Sequence, residues 1–172
     1  MATQLRISLQ EYLETPYRPD REYVDGEVRE RNVGKWEHAR LQFLLGSWFA
    51  DRESQWQIMT STAQRTRVAS SRVRVPDLVI VKAGSQPDVI QAPPVLIVEI
   101  LSPDDTYSDL EERVADYRNM GVAAIWAIDP RTRSGRMCIG DEWNPARRLD
   151  VPGTPIFVEL DELFSFLDRP RP

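Results

Sequence analysis

Lysine is nearly missing from this chain: Lys35 and Lys82 are its two examples among 22 basic residues, and the other twenty are arginine. Cysteine is rarer still. A single cysteine, Cys138, excludes an internal disulfide framework and a cysteine-based zinc cluster. No apolar run approaches the roughly 18 residues that a transmembrane helix needs. The first ten residues, MATQLRISLQ, contain no hydrophobic stretch of signal-peptide type, so a cytoplasmic protein is expected. Excess positive charge is absent too. With 27 acids against 22 bases, the net charge of −5 argues against binding nucleic acid through bulk charge. The arginine excess reads, by itself, as genomic base composition.

What is present points to one folded unit. At 172 residues and 41% apolar content, the chain is long enough to bury a sizeable core. No repeat or low-complexity linker divides it. A single domain over residues 1–167 is expected, with a flexible tail over 168–172. Ser8 and Glu11 are spaced as a capping box for a short helix ending near Glu14, and a turn follows at Pro16 to Asp20. Asp25-Gly26, between β-forming residues, predicts a hairpin over Arg21 to Val28. From Trp36 to Asp51, Leu41, Leu44, Leu45, Trp48 and Phe49 fall on one face of a helix. Segments near Trp56 to Val68 and Val73 to Val81 have strand character, and Val95 to Leu101 reads as a buried central strand. Ser108 and Glu111 predict the start of a helix ending at Gly121. Ala123 to Ile128 then gives a strand parallel to the preceding one, in a right-handed crossover. Short strands and a last short helix are expected beyond Arg131.

Glu99 is the most informative residue. A carboxylate inside a seven-residue apolar strand is costly to bury unless it is paired or metal-bound; an arginine partner near the strand end is the structural alternative. Asp77, after Pro76 and before Leu78-Val79-Ile80-Val81, puts a second carboxylate at the edge of a neighbouring strand, although Pro-Asp alone is also a common turn. Two such carboxylates on adjacent strands can share Mg²⁺. The cation would orient a phosphodiester and activate water.

The Ser8 to Leu13 helix, the Arg21 to Val28 hairpin, Val75-Pro76-Asp77-Leu78-Val79-Ile80-Val81, Val98-Glu99-Ile100-Leu101-Ser102-Pro103, Tyr117, Gly121-Val122 and Trp126-Ala127-Ile128-Asp129-Pro130 occur in an order that resembles the Uma family of restriction endonucleases. That family is similar to the PD-(D/E)XK nuclease superfamily, and the resemblance runs from about Ser8 to Leu167. It implies an α/β (α+β) fold: a restriction-endonuclease-like mixed central sheet flanked by helices. It implies a DNA endonuclease using Mg²⁺, with Mn²⁺ as the alternative. Asp77 and Glu99 would be the metal-binding acids and the backbone carbonyl of Ile100 a further ligand. Glu22 matches an acidic position near the site, against its reading as a surface acid of the hairpin.

The superfamily's lysine is expected two residues after the second acid, where this chain has Leu101. Relatives of this type are similar in moving the lysine to the next helix, four residues after an Asp, and Arg113 stands there. Arginine stays protonated and presents a planar fork, so it can steady phosphate charge but cannot act as a base. On a helix Arg113 lies about 60° from Leu110, on the flank of the buried stripe formed with Val114 and Tyr117. The alternative is an Asp109–Arg113 ion pair. Neither lysine is suitably placed: alternation puts Lys82 opposite Asp77, and Lys35 precedes a helix.

His38 extends the apolar side of its helix, as a core residue or as a group supporting the site. Arg65, Arg67, Arg72 and Arg74 lie close together without intervening acids and could contact phosphates, or could simply form a solvated strand face. Arg131, Arg133 and Arg136 form a smaller cluster. Glu99 to Asp116, with seven acids and one arginine, suits a cation better than a bare phosphate. A homodimer would present one site to each DNA strand, by analogy. Two other readings remain: a nuclease fold with little catalysis that serves as a DNA-binding or protein-interaction module, and a metal-dependent hydrolase of another phosphoester.

Overall fold

The computed structural model describes residues 6–32 and 34–169. The Ser8 hydroxyl accepts the Glu11 N–H and opens α1 (Leu9–Glu14). Asp25 and Gly26, with φ of 51° and 98°, form the two-residue turn between β1 (Glu22–Val24) and β2 (Glu27–Arg29); a primed turn requires positive φ at both positions. Helix α2 (Trp36–Ala50) buries Leu41, Leu44, Leu45, Trp48 and Phe49, the face anticipated from their spacing. A single turn, α3 (Glu53–Trp56), follows it.

The two strand-like runs after Trp56 each divide. The first gives β3 (Ile58–Thr62) and β4 (Thr66–Ala69), the second β5 (Arg72–Arg74) and β6 (Leu78–Lys82). Strands β3 and β6 pair with each other, as do β4 and β5, but in different sheets. Pro76 has no N–H for a ladder, so the chain leaves one sheet there and enters the other at Asp77.

The large sheet is completed by β7 (Leu96–Ile100), β8 (Ile125–Asp129), β9 (Ser134–Ile139) and β10 (Glu142–Ala146), in the order β10-β9-β8-β7-β6-β3. Strands β7 and β8 are parallel, as the crossover predicts, and their neighbours are antiparallel. The crossover helix is α4 (Tyr107–Met120), closed by Gly121 at φ 100°. Its start differs from the predicted box. Thr106 is the cap and exchanges hydrogen bonds with Asp109, so the helix begins before Ser108. The small sheet runs β2-β1-β5-β4, and β11 (Arg148–Asp150) pairs with β12 (Phe157–Glu159) before α5 (Leu160–Leu167). Asp168, expected in the tail, accepts from Arg133, while residues 170–172 lie outside the described residues.

Strand alternation sends Leu96, Val98 and Ile100 to the face packed with α2 and α5, and Ile97 to the face packed with Leu110, Val114 and Tyr117 of α4. Glu99 shares the parity of Ile97, so it meets α4. Leu78 pairs with Val98 across the antiparallel ladder. One step along that ladder puts Asp77 opposite Glu99, where side chains on one face stand about 5 Å apart at Cβ.

Candidate active site

Asp77 and Glu99 are both 3% exposed and line one cleft of about 170 Å³. Asp77 Oδ2 accepts from the Ile100 N–H at 2.7 Å and lies 3.3 Å from His38 Nε2. Its Oδ1 accepts from Arg31 Nη2 at 2.9 Å. Burial opposes the charge of Asp77, but His38, Arg31 and the Ile100 N–H outweigh it and hold the carboxyl below its usual range. His38 responds in kind: burial favours its neutral form, yet Asp77 raises it above the ordinary histidine value.

Glu99 is held from α4. The Tyr117 hydroxyl donates to Oε1 at 2.5 Å, and Arg113 Nε lies 3.5 Å from Oε2. Burial lifts the Glu99 carboxyl to about 7 despite Arg113, and the charge of Asp77 adds to the rise. Arg113 also donates to Asp105 Oδ1 at 3.4 Å. The alternative partner, Asp109, is committed to the Thr106 cap. Arg113 and Tyr117 are four residues apart on one helix face, which is why both reach the same carboxylate.

Glu22 lines the same cleft, but it is 6% exposed rather than a surface acid. It accepts from Arg74 Nη1 at 2.7 Å and from the Val75 N–H at 3.2 Å. Leu101, where the superfamily lysine would stand, packs into the apolar cluster under α4. Lys82 ends β6 away from Asp77, and Lys35 caps α2.

The four arginines suggested for phosphate contact do not form a free basic patch. Arg65 is clamped to both oxygens of Asp20 and to carbonyls of Tyr12, Leu13 and Thr15. Arg72 joins Asp25 and Asp116. Arg74 is 2% exposed between Glu22 and Asp116. A buried carboxylate demands such a partner, and Arg72 and Arg74 satisfy that demand for Asp116, with Arg74 also serving Glu22. Among the described residues Arg67 is the one of the four with no carboxylate partner, and it donates to the Ala69 and Ser70 carbonyls.

Sequence reasoning passed over Arg31, Tyr117 as a donor, and Asp105, which accepts from Asn32 and the Ser102 N–H. The spacing of Tyr117 from Arg113 was a usable signal. For Arg31 none existed, since its partner is 46 positions away and the loop after β2 has no pattern.

The chemistry of the donor set fits a hard divalent cation: two facing carboxylates and the Ile100 carbonyl are all oxygen, and Mg²⁺ commonly takes one or two carboxylates with water completing the shell. Among the described residues no group of three or more His, Cys, Asp or Glu side chains is arranged as a ligand set, so protein ligation would be sparse. Seven carboxyl groups and four guanidinium groups line the cleft with His38, which favours a cation over an unaccompanied phosphate.

A mixed sheet carrying paired acids on adjacent strands, crossed by a helix that supplies the cation beside them, defines a restriction-endonuclease-like nuclease. The chain belongs to the Uma2 family, described as "Putative restriction endonuclease", whose model matches residues 9–157. The fold agrees with the crystal structure of a "putative nuclease belonging to DUF820" from Anabaena variabilis, at 21% identity and a TM-score of 0.81 over 94% of this chain and 99% of that one. A DrdV–DNA complex aligns at 15% identity and a TM-score of 0.43 over 74% of this chain and 11% of its own, too distant to bear on the fold. No curated protein matches the sequence. Among the described residues no helix is long and apolar enough to cross a membrane.

Proposed function

We propose that the chain is a DNA endonuclease dependent on Mg²⁺ or Mn²⁺, acting in the cytoplasm, with Asp77, Glu99 and the Ile100 carbonyl holding the cation. The observation that carries this reading is the burial of two carboxylates opposite each other beside an open cleft, an arrangement with a high desolvation cost and no evident structural need for both. A bound divalent cation would supply an activated water and neutralise charge developing on the phosphate. Glu99, whose carboxyl is lifted by burial to about 7, would hold the cation in its ionised form. Tyr117 fixes the orientation of Glu99. Arg113 stays protonated throughout and steadies phosphate oxygens with its planar fork, from its place beside Glu99. Glu22 acts through position, holding Arg74 beside the cleft. Double-strand cleavage would follow from a homodimer presenting two such sites.

A second reading, a nuclease fold that binds DNA or protein with little catalysis, is favoured by Leu101 in the lysine's place and by the arginine on each carboxylate. The two readings separate on incubation of supercoiled and linear DNA with Mg²⁺ or Mn²⁺. Endonuclease action predicts nicking that disappears in Asp77→Ala and Glu99→Ala. Cleavage surviving Asp77→Ala contradicts the site, and salt-sensitive binding with no cleavage in either metal favours the second reading.

A further inference from the structure

We propose that Arg31 gates the cation site: its guanidinium stands on Asp77 in the free protein, leaves when a divalent cation binds, and turns to a DNA phosphate. This rests on the metal-dependent reading above.

The first support is how the oxygens of Asp77 are divided. Oδ2 faces the Ile100 N–H and His38, whereas Oδ1 accepts from Arg31. Arg31 therefore stands on the oxygen that a cation would take with least disruption of the ladder. A divalent ion arriving with Arg31 and Arg113 both in place would meet two guanidinium groups on the two carboxylates. Removing one of them relieves like-charge repulsion that is weakly screened in a buried site.

The second support is the inequality among the cleft's arginines. Arg74 has carboxylate partners in Glu22, Glu112 and Asp116, Arg113 in Glu99 and Asp105, and Arg29 in Glu27 and Glu112. Among the described residues Arg31 has one, Asp77. Its side chain is 22% exposed against 4% for Asp77, so the guanidinium approaches from the solvent side. It also sits in the loop between β2 and α2, where turning a long side chain outward disturbs no helix or strand. Arg31 is thus the arginine that can leave with the fewest broken contacts. Once released it keeps its charge and its planar fork, the geometry suited to a phosphate.

The test compares the full-length wild type with Arg31→Gln, Arg31→Lys and Asp77→Asn. Mn²⁺ affinity is read by calorimetry without DNA, and the salt dependence of binding to a short DNA duplex is read in Ca²⁺. A charge-assisted hydrogen bond that competes with the ion should weaken wild-type Mn²⁺ affinity about tenfold relative to Arg31→Gln. Arg31→Lys should fall between them, and Asp77→Asn should bind no Mn²⁺. The duplex-binding slope against salt should be shallower by about one in Arg31→Gln, as expected for one lost phosphate contact. Equal or weaker Mn²⁺ binding by Arg31→Gln, with wild-type binding still lost in Asp77→Asn, overturns the gate but leaves the metal site standing. An unchanged salt slope overturns the turn toward phosphate. Failure of wild type and Arg31→Gln alike to bind Mn²⁺, or binding that survives Asp77→Asn, overturns the metal-dependent reading together with the gate.

Discussion

Glu99 and Asp77 face each other across one ladder step and yet are driven in opposite directions. Asp77 takes a backbone N–H, a histidine and an arginine, so its charge is stabilised; Glu99, with one hydroxyl and one ion pair, is left closer to neutrality. Consequences for stability follow from the sign. A carboxyl raised from 4.5 to about 7 on folding holds its proton more tightly in the folded state, so its contribution is fully present below about pH 4.5 and is lost as pH rises through about 7. His38, also raised, adds loss of the same sign above its ordinary value. Urea unfolding of metal-free protein should therefore show stability falling across that window, and Glu99→Gln should remove the Glu99 share; parallel curves for the two proteins would contradict the assignment. Tyr117→Phe, which deletes a bond that favours the charged form, should move the fall to higher pH. Glu99 stands out in the sequence because it interrupts an apolar run, and Asp77 because it opens a neighbouring one. Arg31 was not, since a contact made by a patternless loop leaves no periodicity to read.

At the scale of elements, α4 carries the cation of the site, and its first turn decides where that cation points. Thr106 caps the helix and Asp109 answers it, which takes Asp109 away from Arg113. Thr106→Ala should lower stability by about 1 kcal/mol, as lost N-caps do, whereas Ser108→Ala should stay within about 0.5 kcal/mol. Thermal melts of the two variants decide between the caps, and the reverse order would restore the sequence-based box. The box spacing occurs twice within a few residues, so pattern alone could not choose. Arg113→Lys should retain DNA cleavage and Arg113→Ala should lose most of it; equal loss in both would assign the planar fork itself an essential part. The crossover and the α2 face were read correctly because long periodic segments dominate local noise. The division of residues 56–82 between two sheets was missed because strand pairing partners are not written in the alternation of a single strand.

Across the whole molecule, the arginine excess has an internal use. Arg65 ties α1 and the following turn to the start of β4, and Arg72 and Arg74 tie the small sheet to Asp116 of α4. These pairs keep the hairpin that carries Glu22 against the cleft. Arg74→Met should cost about 3–5 kcal/mol by leaving Glu22 buried without its cation and Asp116 with Arg72 alone; a loss below about 1 kcal/mol in urea unfolding would mean that the network relaxes into solvent. The lack of lysine, the feature that first set this chain apart, recurs at the site, where a partly buried Leu101 packs against the apolar cluster under α4 and arginines stand on both acids. Whether such a site hydrolyses DNA is tested most directly by supercoiled-plasmid nicking titrated with Mg²⁺, with Asp77→Asn and Glu99→Gln alongside wild type. Nicking by wild type that rises with Mg²⁺ and vanishes in both near-isosteric variants is expected. Nicking that persists in either variant, or that needs no divalent cation, would contradict a metal site built on Asp77 and Glu99.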